Sequence, residues 1–127
     1  MITYMSMVKT KKEMAPGEMP LPALMESMGK LIVEMNAKGK MLSTGGLAPT
    51  AQGFKARIDG TRIAITDGPF TEAKEVIGGY AIMRAETREE MMEDARRFLQ
   101  LHIDVGMTDL EVEVRPMSFP PGGQCGA

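Results

Sequence analysis

The sequence predicts an α+β fold: an antiparallel sheet with two helices on one face and a β-hairpin inserted midway. Three observations lead there. The hydrophobic period switches twice from about two residues to 3.6 and back. The segments run in the order β-α-β, hairpin, β-α-β. The 127 residues amount to one domain, with about 6,600 Å² exposed when folded against about 20,000 Å² unfolded, which is burial enough for one core.

Ile2 to Val8 (I-T-Y-M-S-M-V) is β-branched and apolar and reads as the first strand. Lys9 to Pro20 follows as a polar loop broken by Pro16, Gly17 and Pro20. Leu21, Leu24, Met25, Met28, Leu31, Ile32 and Met35 then recur at helical spacing, the buried stripe of a helix over 20–38. Glu26, Lys30, Glu34 and Lys38 alternate four apart on its wet side. Prolines 20 and 22 suit its start, and Gly39 its left-handed stop. Met41 to Thr44 is a short strand that runs into the turn-rich Gly45-Gly46-Leu47-Ala48-Pro49.

The runs 54–58 and 62–66 flank Asp59-Gly60. A tight turn centred there sets Phe54 opposite Ile65 and Ala56 opposite Ile63, with Arg57 facing Arg62. Asp67-Gly68-Pro69-Phe70 ends the hairpin, and Thr71 is placed to cap the polar stretch 72–75. Val76 to Arg84 is a strand apolar on both faces, with Tyr80 and Ile82 pointing one way and Ala81 and Met83 the other. Thr87-Arg88-Glu89-Glu90 is a capping box, and Met91, Met92, Ala95, Phe98, Leu99 and His102 trace the buried side of a second helix ended by Gly106. Leu110, Val112 and Val114 alternate with Glu111, Glu113 and Arg115 in a last strand. The order is that of the ferredoxin-like βαββαβ core with an inserted hairpin. One domain spans 1–117, and 118–127 has the composition of a disordered tail. Helices cover only one sheet face, so the strands that are apolar on both sides predict a homodimer through the other.

Composition excludes several functions. A net charge of −2 with a pI near 5.5 lacks the basic footprint of a nucleic-acid binder. No apolar run reaches the ~20 residues of a membrane span, and no signal peptide is visible, so a cytoplasmic protein is expected. One cysteine, Cys125, and one histidine, His102, make neither a disulfide framework nor a zinc site. Gly45-Gly46 and Gly78-Gly79 lack the spacing of a nucleotide fingerprint, so no cofactor is expected. Periodicity assigns most of the fourteen methionines to the interior as core filler.

Four segments carry a resemblance. D-G-P-F-T-E-A-K-E-V-I-G-G-Y at 67–80 resembles the signature of the DGPF proteins, within the YCII-related family. G-G-L-A-P at 45–49 is similar to the family's G-L-x-P segment, and V-E-V-R-P-M at 112–117 to its closing strand. A-L-M-E-S-M-G-K at 23–30 resembles one DGPF subgroup. The similarity runs from Ile2 to about Met117. It implies a dimeric α+β barrel, in which two ferredoxin-like protomers join sheets around a cavity. For function it implies two directions. Some YciI-like relatives are small-molecule enzymes, such as a dehydrochlorinase of a chlorinated hydroxyquinol that uses a His–Asp pair. Many DGPF genes adjoin genes for extracytoplasmic-function sigma factors, which implies regulation. Here no histidine precedes His102, so the histidine of that pair is missing and Asp67 alone corresponds to its acidic half.

Asp67 is the catalytic candidate. A carboxylate at a strand end beside a Gly-Pro turn suits a general base or the anchor of a polar ligand, and equally suits capping of the turn. The ligand-binding candidates are Phe70, Lys74, Tyr80 and Arg62. The Tyr80 phenol can donate to a developing oxyanion or simply fill the interior. Arg62, beside Arg57, can grip a carboxylate or phosphate or stay solvated. Lys74 lies at a cleft mouth or on a wet surface, and Phe70 anchors the loop. Asp67 is expected to border a pocket with Tyr80 or Phe70 in its wall. Two readings follow: a dimeric ligand-binding or regulatory module, or a cofactor-independent lyase, isomerase or hydrolase using Asp67.

Overall fold

Alternation along β1 (Ile2–Thr10) makes it the spine of the sheet: Tyr4 and Ser6 are buried against the helices, and Met5 and Met7 turn the other way. The computed structural model describes residues 1–14 and 18–122. After β1 come α1 (Pro22–Ala37), β2 (Met41–Gly46), β3 (Phe54–Asp59), β4 (Arg62–Asp67), β5 (Val76–Ala85), α2 (Arg88–Asp104) and β6 (Glu111–Pro116). The four-stranded sheet has the order β2-β5-β1-β6, every neighbour antiparallel, while β3 and β4 form a separate two-stranded ribbon. This is the predicted ferredoxin-like α+β arrangement. The expected Pro16-Gly17 break lies outside the described residues, as do 123–127 of the expected tail, Cys125 included.

Helix α1 starts with Pro22 in its first turn and ends at a glycine, Gly39, with φ +70°. Helix α2 is capped by Thr87, whose Oγ1 accepts the Glu90 N–H at 3.1 Å. The return bond of the capping box lands one residue early: the Glu90 carboxylate accepts the Glu86 N–H at 2.8 Å. The core between helices and sheet joins Tyr4, Met35, Met83, Ala85 and Met91, with Leu31, Met41, Ala81 and Val114 packed around them. Burying a side chain such as Met35 stabilises by about 1.5–3 kcal/mol. The methionine expectation needs correction, because Met25 and Met92, assigned by spacing to the buried stripes, are exposed. Each helix covers a narrower strip of sheet than its apolar stripe allows for.

Two clusters of ion pairs lock the helices in place. Lys40, just before β2, is buried between the Glu90 carboxylate at 2.8 Å and Asp94. Burial alone would lower its pKa, but the hydrogen bonds it donates to Asp94 and Glu90 outweigh that and hold it above the usual lysine value. Arg97 on α2 reaches Glu34 on α1, and together with Lys38 it pulls the Glu34 carboxyl down to about 2.

The hairpin register differs from the predicted one. Asp59 pairs with Arg62, so the two-residue loop is Gly60-Thr61 and every pair shifts: Phe54 faces Asp67, Ala56 faces Ile65, and Ile58 faces Ile63. Gly60 takes φ +68°, which suits a tight hairpin turn, and moving the turn by one residue preserves the apolar face. The expected Arg57–Arg62 apposition is therefore absent. Arg57 faces Ala64, with its guanidinium 4.0 Å from an Asp59 oxygen, and Asp59 is the register partner of Arg62. The stretch after Phe70 is a single turn rather than a capped helix, closed by the Ala73 N–H on the Phe70 carbonyl at 3.1 Å.

Candidate functional site

The residues from Gly45 to Gly53 set the geometry of the candidate site. Leu47 N–H bonds to the Gly78 carbonyl at 2.9 Å, which fastens this segment to the start of β5. Thr50–Gln52 then makes one 3-10 turn. Thr50 is gripped from the other side by Glu13, whose carboxylate accepts both its N–H and its hydroxyl at 2.7 Å. The hydroxyl oxygen in turn accepts the Phe70 N–H at 3.3 Å, and the Gly53 carbonyl accepts the Gly68 N–H at 2.9 Å. The Asp67-Gly68-Pro69-Phe70 loop is thus laid directly on the 3-10 turn, with a cis peptide at Gly68-Pro69.

Gly68 has to be glycine for a steric reason. A Cβ there would sit 1.7 Å from the Thr50 carbonyl oxygen and 2.6 Å from its carbon. Backbone on backbone leaves no side chain free to yield. A second close approach shapes the open sheet face. A Cβ on Gly45 would come within 3.0 Å of the Tyr80 ring, so glycine lets that ring lie over β2. There the Tyr80 hydroxyl meets Ser43 Oγ at 3.4 Å.

Between the 3-10 turn, the loop and the start of β5 lies a cleft of about 450 Å³. Its walls are mostly apolar, from Leu47, Pro49, Phe70, Val76 and Ile77, with Lys55 and Glu75 as charged members. Lys55 Nζ stands 4.3 Å above the centre of the Phe70 ring, a cation–π contact, with a Glu72 oxygen 3.7 Å from the ammonium. The lining is thus mostly apolar, with one cation and one anion.

Of the predicted site residues, Phe70 alone lines this cleft. Asp67 is exposed at the root of the hairpin opposite Phe54, and among the described residues its carboxylate has no side-chain hydrogen bond or ion pair. Lys74 is exposed and outside the lining. Arg62 is at the far end of the hairpin, opposite Asp59. Tyr80 belongs to the open sheet face, half-buried beside Met7. The expected pocket uniting Asp67 with Tyr80 or Phe70 is thus resolved into separate places. Sequence reasoning missed Lys55, whose partnership with Phe70 spans the hairpin, and the Glu13–Thr50 clasp, which joins a polar loop to a distant turn. Neither leaves a local pattern to read. His102 is buried and structural: its Nδ1 pairs with the Phe98 carbonyl at 2.9 Å, and its ring packs on Phe98. Among the described residues no three His, Cys, Asp or Glu side chains group as metal ligands, and no helix is long and apolar enough to cross a membrane.

Fold and site together define a small ferredoxin-like α+β protein with an apolar cleft beneath its D-G-P-F loop. The family model for the YCII-related domain matches residues 2–100, and the chain belongs to that family. No curated protein matches it.

Proposed function

We propose that this chain is a small-molecule-binding module whose ligand is a planar, predominantly apolar acid held in the cleft under the D-G-P-F loop. The observation that carries this reading is the Lys55 ammonium poised over the Phe70 ring at a mostly apolar cleft whose other charged member is Glu75. A flat ring would pack against Phe70, Leu47 and Ile77, while its carboxylate would take the place of Glu72 beside Lys55 in a charge-assisted bond. Two copies pair through the open sheet faces, where Met5, Met7, Tyr80 and Ile82 are supplied by adjacent strands. Association with a sigma-factor circuit draws its support from the family resemblance alone.

The test is titration of benzoate, benzamide and cyclohexanecarboxylate into labelled protein, followed by amide shifts. Benzoate should perturb residues 47–53 and 70–77 and bind at least tenfold tighter than uncharged benzamide. Lys55→Gln should erase that preference, and Phe70→Ala should abolish binding. Equal affinity for acid and amide would refute the assignment.

A second reading, acid–base catalysis, is favoured by one observation: the Asp67 carboxylate is exposed and uncommitted on the loop that carries Phe70. It requires that Asp67→Asn remove turnover of a bound acid while leaving its affinity and the melting temperature unchanged.

A further inference from the structure

The β3–β4 ribbon is an arm. Its strands pair with each other and, among the described residues, pack substantially against no other strand or helix. The register divides it sharply. Phe54, Ala56, Ile58, Ile63 and Ile65 share one face, with Asp67 at its root opposite Phe54, and Lys55, Arg57, Asp59, Arg62, Ala64 and Thr66 share the other. The apolar face lies in water: Phe54 is 64% exposed, Ile58 82%, Ile63 74% and Ile65 66%. A lone two-stranded hairpin is marginal in water and normally needs a surface to lie on. We propose that the apolar face of this arm docks on a second copy of the chain, each protomer laying its arm against its partner.

Area argues for a second copy. Four large side chains exposed to this degree offer roughly 500 Å², near the upper end for the largest patch on a monomer. A stable complex buries about 800 Å² on each partner, so the arm alone falls short. The chain carries another unpartnered apolar surface, the open sheet face around Met5, Met7, Tyr80 and Ile82. The sheet face adds to the arm's area, and a two-fold contact supplies both surfaces reciprocally with no further complementary surface. The charges on the reverse of the arm stay in water. This inference rests on the pairing of copies proposed above and adds a contact that pairing does not require.

Sedimentation of the full chain at micromolar concentration tests it with three variants. Ile58→Glu/Ile63→Glu strikes the arm's apolar face, Arg57→Gln/Arg62→Gln its charged face, and Ile82→Glu the sheet face. The wild type should run at twice 13.8 kDa. The arm variant should dissociate at least a hundredfold more readily with an unchanged far-ultraviolet spectrum, and the charged-face variant should not. An arm variant that dimerises like the wild type overturns the arm's role; if Ile82→Glu dissociates at the same time, the sheet-face reading stands without it. Dissociation of the arm variant alone removes the sheet-face reading and keeps the arm. A nitroxide on Ile58→Cys, in a Cys125→Ser background, reports independently of any destabilising charge. Its spectrum should be immobilised, and a freely mobile line shape refutes docking.

Discussion

Gly68→Ala places a methyl group where the Thr50 carbonyl oxygen already stands. The new carbon would lie 1.7 Å from that oxygen, and ordinary C···O contacts begin at about 3.3 Å. Loop and 3-10 turn must therefore separate by more than an ångström. Overpacking of this kind costs about 1–3 kcal/mol. The separation also breaks the Gly68–Gly53 and Phe70–Thr50 hydrogen bonds, each worth about 1 kcal/mol. A total of about 3–5 kcal/mol corresponds to a fall in Tm of roughly 10–20 °C for a chain of this size. Circular dichroism melting measures the fall, and amide exchange locates it, with protection lost at Gly68 and Phe70. Gly78→Ala is the control: nothing lies within 4 Å of its added Cβ, and alanine replaces a strand glycine, so it should be neutral or gain up to about 1 kcal/mol. A Gly68→Ala melt within about 2 °C of wild type, with both amides still protected, would refute the seating of the loop on the turn.

The buried and surface ion pairs give two more expectations. Lys40→Ala leaves Asp94 and Glu90 facing each other without a cation, and urea denaturation should register a loss of about 3–5 kcal/mol, much of it recovered in Lys40→Met/Asp94→Leu. Glu34 titrates at about 2 in the folded chain, below its ordinary 4.5, chiefly through its hydrogen bond from Arg97. A depressed carboxylate favours folding above its unfolded pKa, and that contribution is lost as pH falls from about 4.5 towards 2. Arg97→Gln should flatten this part of the acid-stability curve and return the Glu34 carbon shift to an ordinary midpoint; an unchanged midpoint would show that Arg97 does not hold it.

What the sequence made legible was whatever repeats at short range. The α1 stripe, the Thr87 cap and the Gly39 stop are local patterns, and each produces its element where expected. The two-sided apolarity of β1 and β5 was equally readable, because a strand declares both faces in consecutive residues. The hairpin register was off by one turn position, since Asp59-Gly60 and Gly60-Thr61 both allow a two-residue loop and both keep the isoleucines on one side. Lys40 lay outside reach for a different reason. Its partners are on a helix more than forty residues later, and a lysine beside a glycine turn reads as solvated until that helix is laid over it. The candidate site suffered in the same way. The D-G-P-F block drew attention to Asp67, while the cleft is built from what the block rests on, the Thr50 turn and Lys55.

The position of β1 in the middle of the sheet also bears on how the domain is made. Tyr4 pairs with Met83 on one side and with Pro116 on the other, so the earliest strand is flanked by two of the latest. Such pairings close long loops before any of them is rewarded, which slows folding relative to a helical chain of equal length. During synthesis β1 has both backbone edges open until β5 emerges, and one edge open until residues through 116 have followed. A chain interrupted before β6 would keep one of those edges bare, a ready template for pairing with another molecule. Folding here is a closing event, and aggregation of prematurely ended chains is its natural failure.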